Sequence, residues 1–318
     1  MKELFNEAMK LINDSTSIYI TSHVSPDGDA VGSVFAMYLL LKNMGKDVHV
    51  VMPKYSDRFK FLEEMKIAEE NVKANKYDLC IVLDCSSIDR VAMPEEDYIK
   101  ANKKLVIDHH LNSKIDADLV VINSKSPATC ELVYEFLTSQ NITITKDIAK
   151  FIYMGIVTDT GSFNYASTTS NTHKVAAKLL DTGIDFAYIC KMVNDTMKEN
   201  RLKLIAYVIN NIQTFKDGKI KYAKVTNDVL EDFGVPEEDA EGIINYLRCI
   251  VGVDIAIYAR GLKDGSYKVS MRSNGNIDVS EAAIKLGGGG HINAAGFTVN
   301  EEIDNVIDEI IEIVGVNL

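Results

Sequence analysis

Several apolar segments of this chain end in acidic or imidazole side chains, and this feature limits the folds open to it. Four such segments end at or near His23, Asp84, Asp108 and Asp159. In open α/β sheets, ligands bind at the carboxyl ends of the strands. Buried carboxylates and imidazoles are costly without a partner, and a metal ion is a common partner. The pattern therefore predicts a ligand-binding sheet edge.

Strand and helix signals alternate over the first half of the chain. Strands are predicted at residues 18–22, 47–52, 77–84, 104–108 and 118–123. Helices are predicted at residues 4–12, 30–44, 58–71 and 145–156. A further helix is predicted up to Leu137, with Ser126 as its N-cap and Pro127 at its first position. Such alternation is typical of the α/β class with a doubly wound, mostly parallel sheet.

The periodicity changes in the second half of the chain. After a polar, helix-like region at residues 176–208, strands are predicted at 219–225, 253–262 and 267–272, and a closing helix at 301–314. This change predicts a smaller α+β domain. The expected organisation is a metal-binding catalytic domain at residues 1–190, a helical connector at 191–210 and a substrate-binding domain at 211–318.

Composition argues against several classes of function. The formal net charge of -12 disfavours a protein that holds long duplex nucleic acid by its phosphates, because such proteins need broad basic surfaces. No stretch approaches the roughly 20 apolar residues of a membrane span, and the N-terminal segment lacks the apolar core of a signal peptide. The five cysteines form no C-x-x-C pair, which is typical of reduced thiols. A cytoplasmic protein without a membrane partner is expected.

The acidic and imidazole residues near the segment ends form a candidate metal site. Its members are His23, Asp27, Asp29, Asp84, His109 and Asp159. Four carboxylates in one cleft repel each other, and two divalent cations would cancel their formal charge. Two ions therefore fit better than one, and Asp84, at the end of a central strand, is the best candidate to bridge them.

The chemistry expected of such a site is hydrolysis at phosphorus. A bridged pair of ions about 3.5–4 Å apart would activate a shared water as hydroxide and stabilise an in-line displacement. A mixed set of carboxylates and imidazoles favours Mn²⁺, with Mg²⁺, Co²⁺ and Zn²⁺ as alternatives. The cofactor prediction is therefore two divalent cations, with Mn²⁺ preferred.

A second group of residues, in the predicted α+β domain, suits a phosphate or a nucleotide. Strand alternation places Lys268, Ser270 and Arg272 on one face, and the Arg272 guanidinium can bind a phosphate through two hydrogen bonds or stack on a base. The glycine run at residues 287–290 lets backbone N–H groups approach an anion, and His291 adds a side-chain donor. These residues predict a substrate-binding surface separate from the metals.

The motifs also resemble those of a known superfamily. HVSPDGDAVGS at residues 23–33, LD at 83–84, DHH at 108–110 and TDTG at 158–161 resemble the four signature motifs of the DHH phosphoesterases. GGGGHINAAGF at residues 287–297 is similar to the glycine-rich motif of the DHHA1 domain. Motif order and chain length most resemble the NrnA-like subgroup, which comprises bifunctional oligoribonucleases and phosphatases of phosphoadenosine phosphate (pAp).

The resemblance implies a role for each residue of the candidate site. One ion would be held by His23, Asp27 and Asp84, and the second by Asp29, Asp84, His109 and Asp159. Asp108 would orient the site, and His110 would face the substrate phosphate as a donor or general acid. The nucleotide end of the substrate would be bound by Arg272, Gly288, Gly289, Gly290 and His291, with Arg248 and Asn293 as companions.

The implied activity is Mn²⁺-dependent hydrolysis of short single-stranded RNA oligomers to mononucleotides and of pAp to AMP. A cleft between two domains would admit only a few nucleotides, in agreement with the acidic net charge. Two other interpretations stay open. The same site could act on linear or cyclic dinucleotides or on polyphosphate, and a chain that has lost catalysis would be a nucleotide-binding sensor. The sequence also leaves open whether two chains form a homodimer.

Overall fold

The parallel sheet predicted for the first half of the chain is present in the computed structural model, which describes residues 1–53, 55, 59, 61–68, 76–110 and 114–317. The chain divides into two compact units, Met1–Thr196 and Met197–Leu318. The strands of the first unit are β1 (Ser17–Thr21), β2 (Asp47–Val50), β3 (Tyr77–Leu83), β4 (Ala101–Asp108) and β5 (Leu119–Ile122). They lie in the order β2-β1-β3-β4-β5, and every neighbouring pair is parallel. The predicted α/β class is confirmed.

The strand order of this sheet reverses at β1, which has β2 on one side and β3 on the other. In doubly wound sheets, such a reversal opens a crevice at the carboxyl ends of two adjacent strands, where ligands bind. His23 follows β1, and Asp84 follows β3. β3 is buried on both faces, which explains why its sequence is a nearly continuous apolar run.

Helices cover both faces of the first sheet. They are α1 (Lys2–Asp14), α2 (Gly28–Asn43), α3 (Glu95–Ile99), α4 (Thr129–Ser139), α5 (Lys146–Asp159), α6 (Ser170–Asp181) and α7 (Phe186–Cys190). α1, α2 and α4 lie against one face, and α5 packs on α2 and α4 around a core that includes Phe35 and Ile81. On the other face, α3 contacts β4 beside a smaller core that includes Tyr19 and Val82.

Most predicted helix bounds of the first unit agree with the structure. α2 and α5 correspond to the helices predicted at residues 30–44 and 145–156. The predicted start of α4 is wrong, because the helix begins at Thr129 and Ser126 does not cap it. A helix is predicted at residues 58–71, where the structure describes residues 59 and 61–68 and has a 3₁₀ turn, Glu63–Ile67; the rest of this prediction lies outside the described residues.

The second unit has the smaller α+β fold that the change of periodicity predicts. Its strands are β6 (Gln213–Phe215), β7 (Ile220–Val225), β8 (Ile255–Gly261), β9 (Tyr267–Ser273), β10 (Gly289–His291) and β11 (Ala294–Val299), in the order β10-β11-β9-β8-β7-β6. Only the β7–β8 pair is parallel among these described strands. The alternating burial of β9 explains the alternating pattern of its sequence.

The helices of the second unit cover its sheet from both sides. They are α8 (Glu199–Asn210), α9 (Asn227–Phe233), α10 (Ile244–Arg248), α11 (Ser280–Lys285) and α12 (Ile307–Val314). α11 and α12 bury one face, whereas α8, α9 and α10 pack over β7 and β8 on the other face. α8, which lies in the predicted connector, packs with this unit, and the predicted domain bounds stay a prediction. None of the helices in the described part of the chain combines the length and the apolar character needed to cross a bilayer.

Candidate metal centre and active site

The structure brings the six predicted metal ligands together at the carboxyl edge of the first sheet. One group of ligand atoms comes from His23, Asp27 and Asp84, and a second from Asp29, His109 and Asp159. Within each group the atoms lie within 4.8 Å of one another. A third, overlapping group comprises Asp84, His109 and His110. The side chains thus form two adjoining sets, each with the donor types that divalent cations bind.

Asp84 is the side chain that joins the two sets. It follows β3 with a left-handed backbone, at φ +55°, which is uncommon for a residue with a side chain. Its Oδ2 lies 3.8 Å from Nε2 of His23, and its Oδ1 lies 3.5 Å from Nε2 of His109. The two oxygens of one buried carboxylate therefore face imidazoles of different sets. This geometry suits a carboxylate that bridges two ions.

Asp27 is held in place by the start of α2. Its Oδ1 accepts hydrogen bonds from the backbone N–H groups of Asp29, at 3.0 Å, and Ala30, at 3.1 Å. This is an ordinary N-cap, which satisfies two N–H groups that the helix leaves without a partner. The cap fixes the direction of the Asp27 side chain at the edge of the site.

Asp29 is buried and caps a different helix. Its Oδ2 accepts from the N–H of Thr129 at 2.6 Å, and its Oδ1 accepts from the N–H of Cys130 at 2.9 Å. The N-cap residue of α4 is Ala128, which has no side-chain acceptor. Asp29 of α2 therefore caps α4, a role that the sequence analysis assigned to Ser126. This explains why the predicted start of α4 is wrong.

His109 is oriented by a backbone carbonyl. Its Nδ1 lies 3.2 Å from the carbonyl oxygen of Ser126, which can only accept, so Nδ1 carries the proton. Nε2 then faces Oδ1 of Asp84 and Oδ2 of Asp159, both at 3.5 Å. Metal-binding imidazoles are commonly fixed in this way through their second nitrogen. Burial tends to lower the pKa of His109, but the charges of Asp84 and Asp29 outweigh it and raise the pKa.

Asp108 orients the neighbouring imidazole of His110. Its Oδ1 lies 2.7 Å from Nδ1 of His110 and accepts from the backbone N–H of the same residue at 3.2 Å. Burial tends to raise the pKa of Asp108, but the hydrogen bond and charge of His110 outweigh it, and the pKa is lowered. Asp108 is therefore ionised, and it holds His110 by the Nδ1 side of the ring.

The electrostatics of the cluster fit divalent cations. Burial, with the charges of Asp29 and Asp27, raises the pKa of Asp84 to about 7. Burial and the same two charges raise the pKa of Asp159 well above its usual range. Burial lowers the pKa of His23, which favours the neutral imidazole that a metal requires. Nearby positive side chains of the described residues do not fully balance the negative charges of these carboxylates, and bound cations would balance them.

Close helix packing brings the ligands from α2 and α5 within reach of each other. A Cβ at Gly28 would overlap the side chain of Thr158. A Cβ at Gly155 would overlap Sγ of Cys130 and would lie 2.8 Å from Oδ1 of Asp29. Glycine at these positions lets α2, α4 and α5 approach closely enough for their ends to share one site.

In the second unit, Lys268, Ser270 and Arg272 share one face of β9, as their spacing predicts. Nζ of Lys268 donates to Oε1 of Glu241 at 2.8 Å, so this lysine takes part in an ion pair. Nη1 of Arg272 donates to the carbonyl oxygen of Met271 at 2.9 Å. The residues opposite Arg272 on β8 and β11 are both alanines, at positions 256 and 294. Both neighbours are small, and Ala256 is buried in the core that α8, α9 and α10 cover.

The glycine run has structural causes that the sequence analysis missed. The N–H of Gly287, at φ +80°, donates to Ile284 O at 3.1 Å, and the N–H of Gly288 donates to Ala283 O at 2.8 Å. This is a Schellman motif, which ends α11. The expectation that these two N–H groups face an anion is wrong, because the helix end uses them. The signal was available, since glycine commonly follows a helix.

The later glycines of the run lie in the edge strand β10. A Cβ at Gly290, where φ is +145°, would overlap the carbonyl oxygen of Ala294 on β11. A Cβ at Gly289 would meet nothing within 4 Å among the described residues. Gly290 is therefore required by strand packing, and Gly289 is the glycine with open space beside it.

The remaining predicted substrate ligands also lie in the second unit. Arg248 is half-buried at the end of α10, and its carbonyl accepts from Nδ2 of Asn274 at 3.0 Å. Nδ2 of Asn293 donates to Oγ of Ser273 at 2.9 Å, so its amide nitrogen serves the fold. His291 belongs to β10, and its side chain lies outside what the structure describes. The substrate roles of these residues stay predictions.

Two residues near the metal ligands were missed by the sequence analysis. Oγ1 of Thr129 donates to Oδ1 of Asp84 at 3.0 Å. The second residue is Arg90, whose backbone carbonyl accepts a hydrogen bond from the N–H of Val24 at 2.7 Å, next to the β-bridge between His23 and Val91. The Arg90 side chain is exposed, and its positive charge tends to lower the pKa of His23. A threonine at a helix start and an arginine in a 3₁₀ turn carry no local signal of function.

The order of the two units and the carboxylate–imidazole site define the class of proteins with DHH and DHHA1 domains. The DHH family, N-terminal domain, matches residues 17–156, and the DHHA1 domain matches residues 217–315. Both matches confirm the resemblance seen in the motifs.

Relatives with known names match along nearly the whole chain. The bifunctional oligoribonuclease and PAP phosphatase NrnA of Thermus thermophilus is 31% identical over 302 residues, which cover 93% of this chain and 89% of that protein. The protein of the same name from Mycoplasma genitalium is 28% identical, with 98% of each chain covered. The crystal structure of an exopolyphosphatase-related protein from Bacteroides fragilis superposes with a TM-score of 0.88 at 27% identity, covering 99% of this chain and 96% of that one. This chain belongs to the NrnA-like family of DHH–DHHA1 phosphoesterases.

Proposed function

We propose that this protein is a metal-dependent phosphohydrolase that degrades short oligoribonucleotides to mononucleotides and converts pAp to AMP. The observation that carries the proposal is the pair of carboxylate–imidazole sets that share Asp84. It is supported by relatives named bifunctional oligoribonuclease and PAP phosphatase, which align over nearly the full length of this chain.

The two sets of ligands would hold one ion each. His23, Asp27 and Asp84 would bind the first, and Asp29, Asp84, His109 and Asp159 the second. When bound, two such cations lower the pKa of a water and offset the charge on the phosphoryl oxygens. We propose Mn²⁺ as the ion, because the donor set mixes imidazoles with carboxylates, and Mg²⁺ or Co²⁺ as alternatives.

His110 would deliver a proton or a hydrogen bond to the phosphate. Asp108 accepts the hydrogen bond of Nδ1, so Nε2 is the ring position from which His110 can donate. Burial tends to lower the pKa of His110, but the hydrogen bond that His110 donates to Asp108 and the charge of Asp84 outweigh it and raise the pKa. A raised pKa keeps the imidazolium populated near neutral pH, as a general acid requires.

We further propose that the second unit binds the nucleotide end of the substrate. Arg272, on a face with small neighbours, would contact a phosphate or a base. Gly289 and Gly290 would approach the substrate through the backbone, with Arg248, His291 and Asn293 beside them. The N–H of Gly288 is used by the end of α11, so its part would be limited to the close strand packing.

The same site could act on polyphosphate, and one observation favours this second candidate. The Bacteroides structure, with its TM-score of 0.88, is described as exopolyphosphatase-related. Polyphosphate lacks bases, so the aromatic or guanidinium stacking available to a nucleotide would contribute nothing to its binding.

A comparison of substrates tests the proposed function. The full chain with Mn²⁺ is assayed on pAp, a dinucleotide, a five-nucleotide RNA, a duplex RNA and polyphosphate. We expect turnover of pAp and the short RNAs, and little turnover of the duplex. Turnover of polyphosphate alone would favour the second candidate.

Two controls identify the site. Asp84→Asn should abolish turnover, whereas Asp118→Asn, a matched exchange directly before β5, should leave it intact. Full activity after removal of metal by a chelator would refute the proposal.

A further inference from the structure

We propose that Thr129 is a positioning residue for the two cations, because it holds Asp84, which both ions would share, and Asp29, which would bind the second ion. The inference rests on the proposed function, since it assumes that the site binds metal. Thr129 is the first residue of α4 and is fully buried. Its hydroxyl contacts Asp84, which follows β3, and its backbone N–H contacts Asp29, from α2. One residue therefore links two ligands that come from different elements.

The direction of the hydroxyl is fixed by its partner. A carboxylate that binds a cation is ionised and only accepts hydrogen bonds, so Oγ1 of Thr129 donates to Oδ1 of Asp84, at 3.0 Å. Oδ1 is also the oxygen that lies 3.5 Å from Nε2 of His109. The hydroxyl thereby restrains the Asp84 oxygen that faces the second set of ligands. Oδ2, which faces His23, is not part of this bond.

The hydroxyl has no part in capping α4. Asp29 caps that helix by accepting from the backbone N–H groups of Thr129 and Cys130, which any residue type except proline would provide. The structure therefore separates two roles at one position. The backbone serves Asp29 and the helix, and the side chain serves Asp84. Only the second role depends on threonine.

This separation predicts how the hydroxyl affects the ions. Asp84 belongs to both sets, because its Oδ1 faces His109 and its Oδ2 faces His23. Removal of the hydroxyl frees the carboxylate to rotate, and its two oxygens move together, so both sets lose this restraint. Loss of a residue that orients a metal ligand typically costs about 10–100-fold in affinity. Mn²⁺ binding should therefore weaken by that factor at both steps.

Thr129→Val and Thr129→Ser make the matched comparison. Valine has nearly the shape of threonine but lacks the hydroxyl, whereas serine keeps it. Thr172→Val serves as a control, because Thr172 is an equally buried threonine whose Oγ1 accepts from Thr169 N–H in the capping box of α6. This control should lower thermal stability without changing metal binding.

The experiment is a calorimetric titration of Mn²⁺ into each metal-stripped full-length protein. We expect two binding steps in the wild type and in Thr129→Ser, and both steps weakened about 10–100-fold in Thr129→Val. Wild-type affinities in Thr129→Val, or equal weakening in Thr129→Val and Thr129→Ser, would overturn the inference and leave the proposed function standing. A wild type that binds no Mn²⁺ would instead refute the proposed function. If Thr129→Val does not fold, Thr129→Ala against Thr129→Ser repeats the comparison.

Discussion

Replacing Asp84 with asparagine should stabilise the metal-free protein while it abolishes metal binding and turnover. Asp84 is 2% exposed, and burial with the charges of Asp29 and Asp27 raises its pKa from 3.8 to about 7. A carboxyl group whose pKa is raised on folding disfavours the folded state once it ionises. The cost is absent below about pH 4, grows as the pH rises, and is complete above about pH 7.

The size of this effect follows from the pKa. Each pKa unit corresponds to about 1.4 kcal/mol, so the difference between 3.8 and about 7 amounts to about 4 kcal/mol at pH 8. At pH 5 only part of the cost is present, about 2 kcal/mol. Asparagine never ionises, and its Oδ1 can still accept the hydroxyl bond of Thr129. The free energy of unfolding of metal-free Asp84→Asn should therefore exceed that of the wild type by up to these amounts.

Urea unfolding followed by far-ultraviolet circular dichroism, in the presence of a chelator at pH 5 and pH 8, measures the difference. Addition of Mn²⁺ should then stabilise the wild type and leave Asp84→Asn unchanged. Asp118→Asn is the control, because it breaks the 2.6 Å pair with Lys103, and it should lower stability slightly at both pH values. An Asp84→Asn protein that is less stable than the wild type at pH 8 would refute the view that the carboxylates repel each other.

Three further predictions concern the packing and chemistry of the sites. Gly155→Ala should lower the free energy of unfolding by about 1–3 kcal/mol and weaken Mn²⁺ binding, because the new Cβ overlaps Sγ of Cys130. Cys130→Ala in the same chain should restore part of both, and no recovery would contradict this account. Arg272→Ala should raise KM for pAp about tenfold with little change in kcat, since it removes a phosphate contact; an equal loss of kcat would assign it to the chemical step. Asp108→Asn should lower kcat at unchanged Mn²⁺ affinity. Nuclear magnetic resonance should show a lower pKa for His110 in this variant, and an unchanged pKa would argue that Asp108 does not hold His110 in its protonated form.

The sequence predicts those parts of the fold whose signals are local. β3 is predicted correctly because a strand that is buried on both faces has a nearly continuous apolar sequence. The start of α5 agrees with its prediction because Thr145 caps the helix with its own side chain, accepting from Ile148 N–H at 3.3 Å. The start of α4 could not be predicted, because its cap is Asp29, 100 residues earlier in the chain. A contact so distant in sequence leaves no local pattern.

The same limit applies to the candidate site. The motifs indicate the types of ligand, but only the structure shows that the two oxygens of Asp84 face different imidazoles. Thr129 is an ordinary residue in sequence, and its contact with Asp84 depends on how α4 meets β3. The sequence analysis assigns the N–H groups of Gly287 and Gly288 to an anion because it predicts no helix before them, although glycine commonly follows a helix and these two end α11.

Two of the proposed metal ligands also hold the scaffold together, since Asp27 caps α2 and Asp29 caps α4. A homologue that had lost hydrolysis would still gain helix stability from both acids, typically about 0.5–2 kcal/mol for each cap. Their presence in a distant homologue is therefore poor proof of an active enzyme. Among the described residues, the carboxylate of Asp159 accepts no hydrogen bond and caps no helix. Replacement of Asp159 in a homologue is therefore the clearer sign that catalytic activity has been lost.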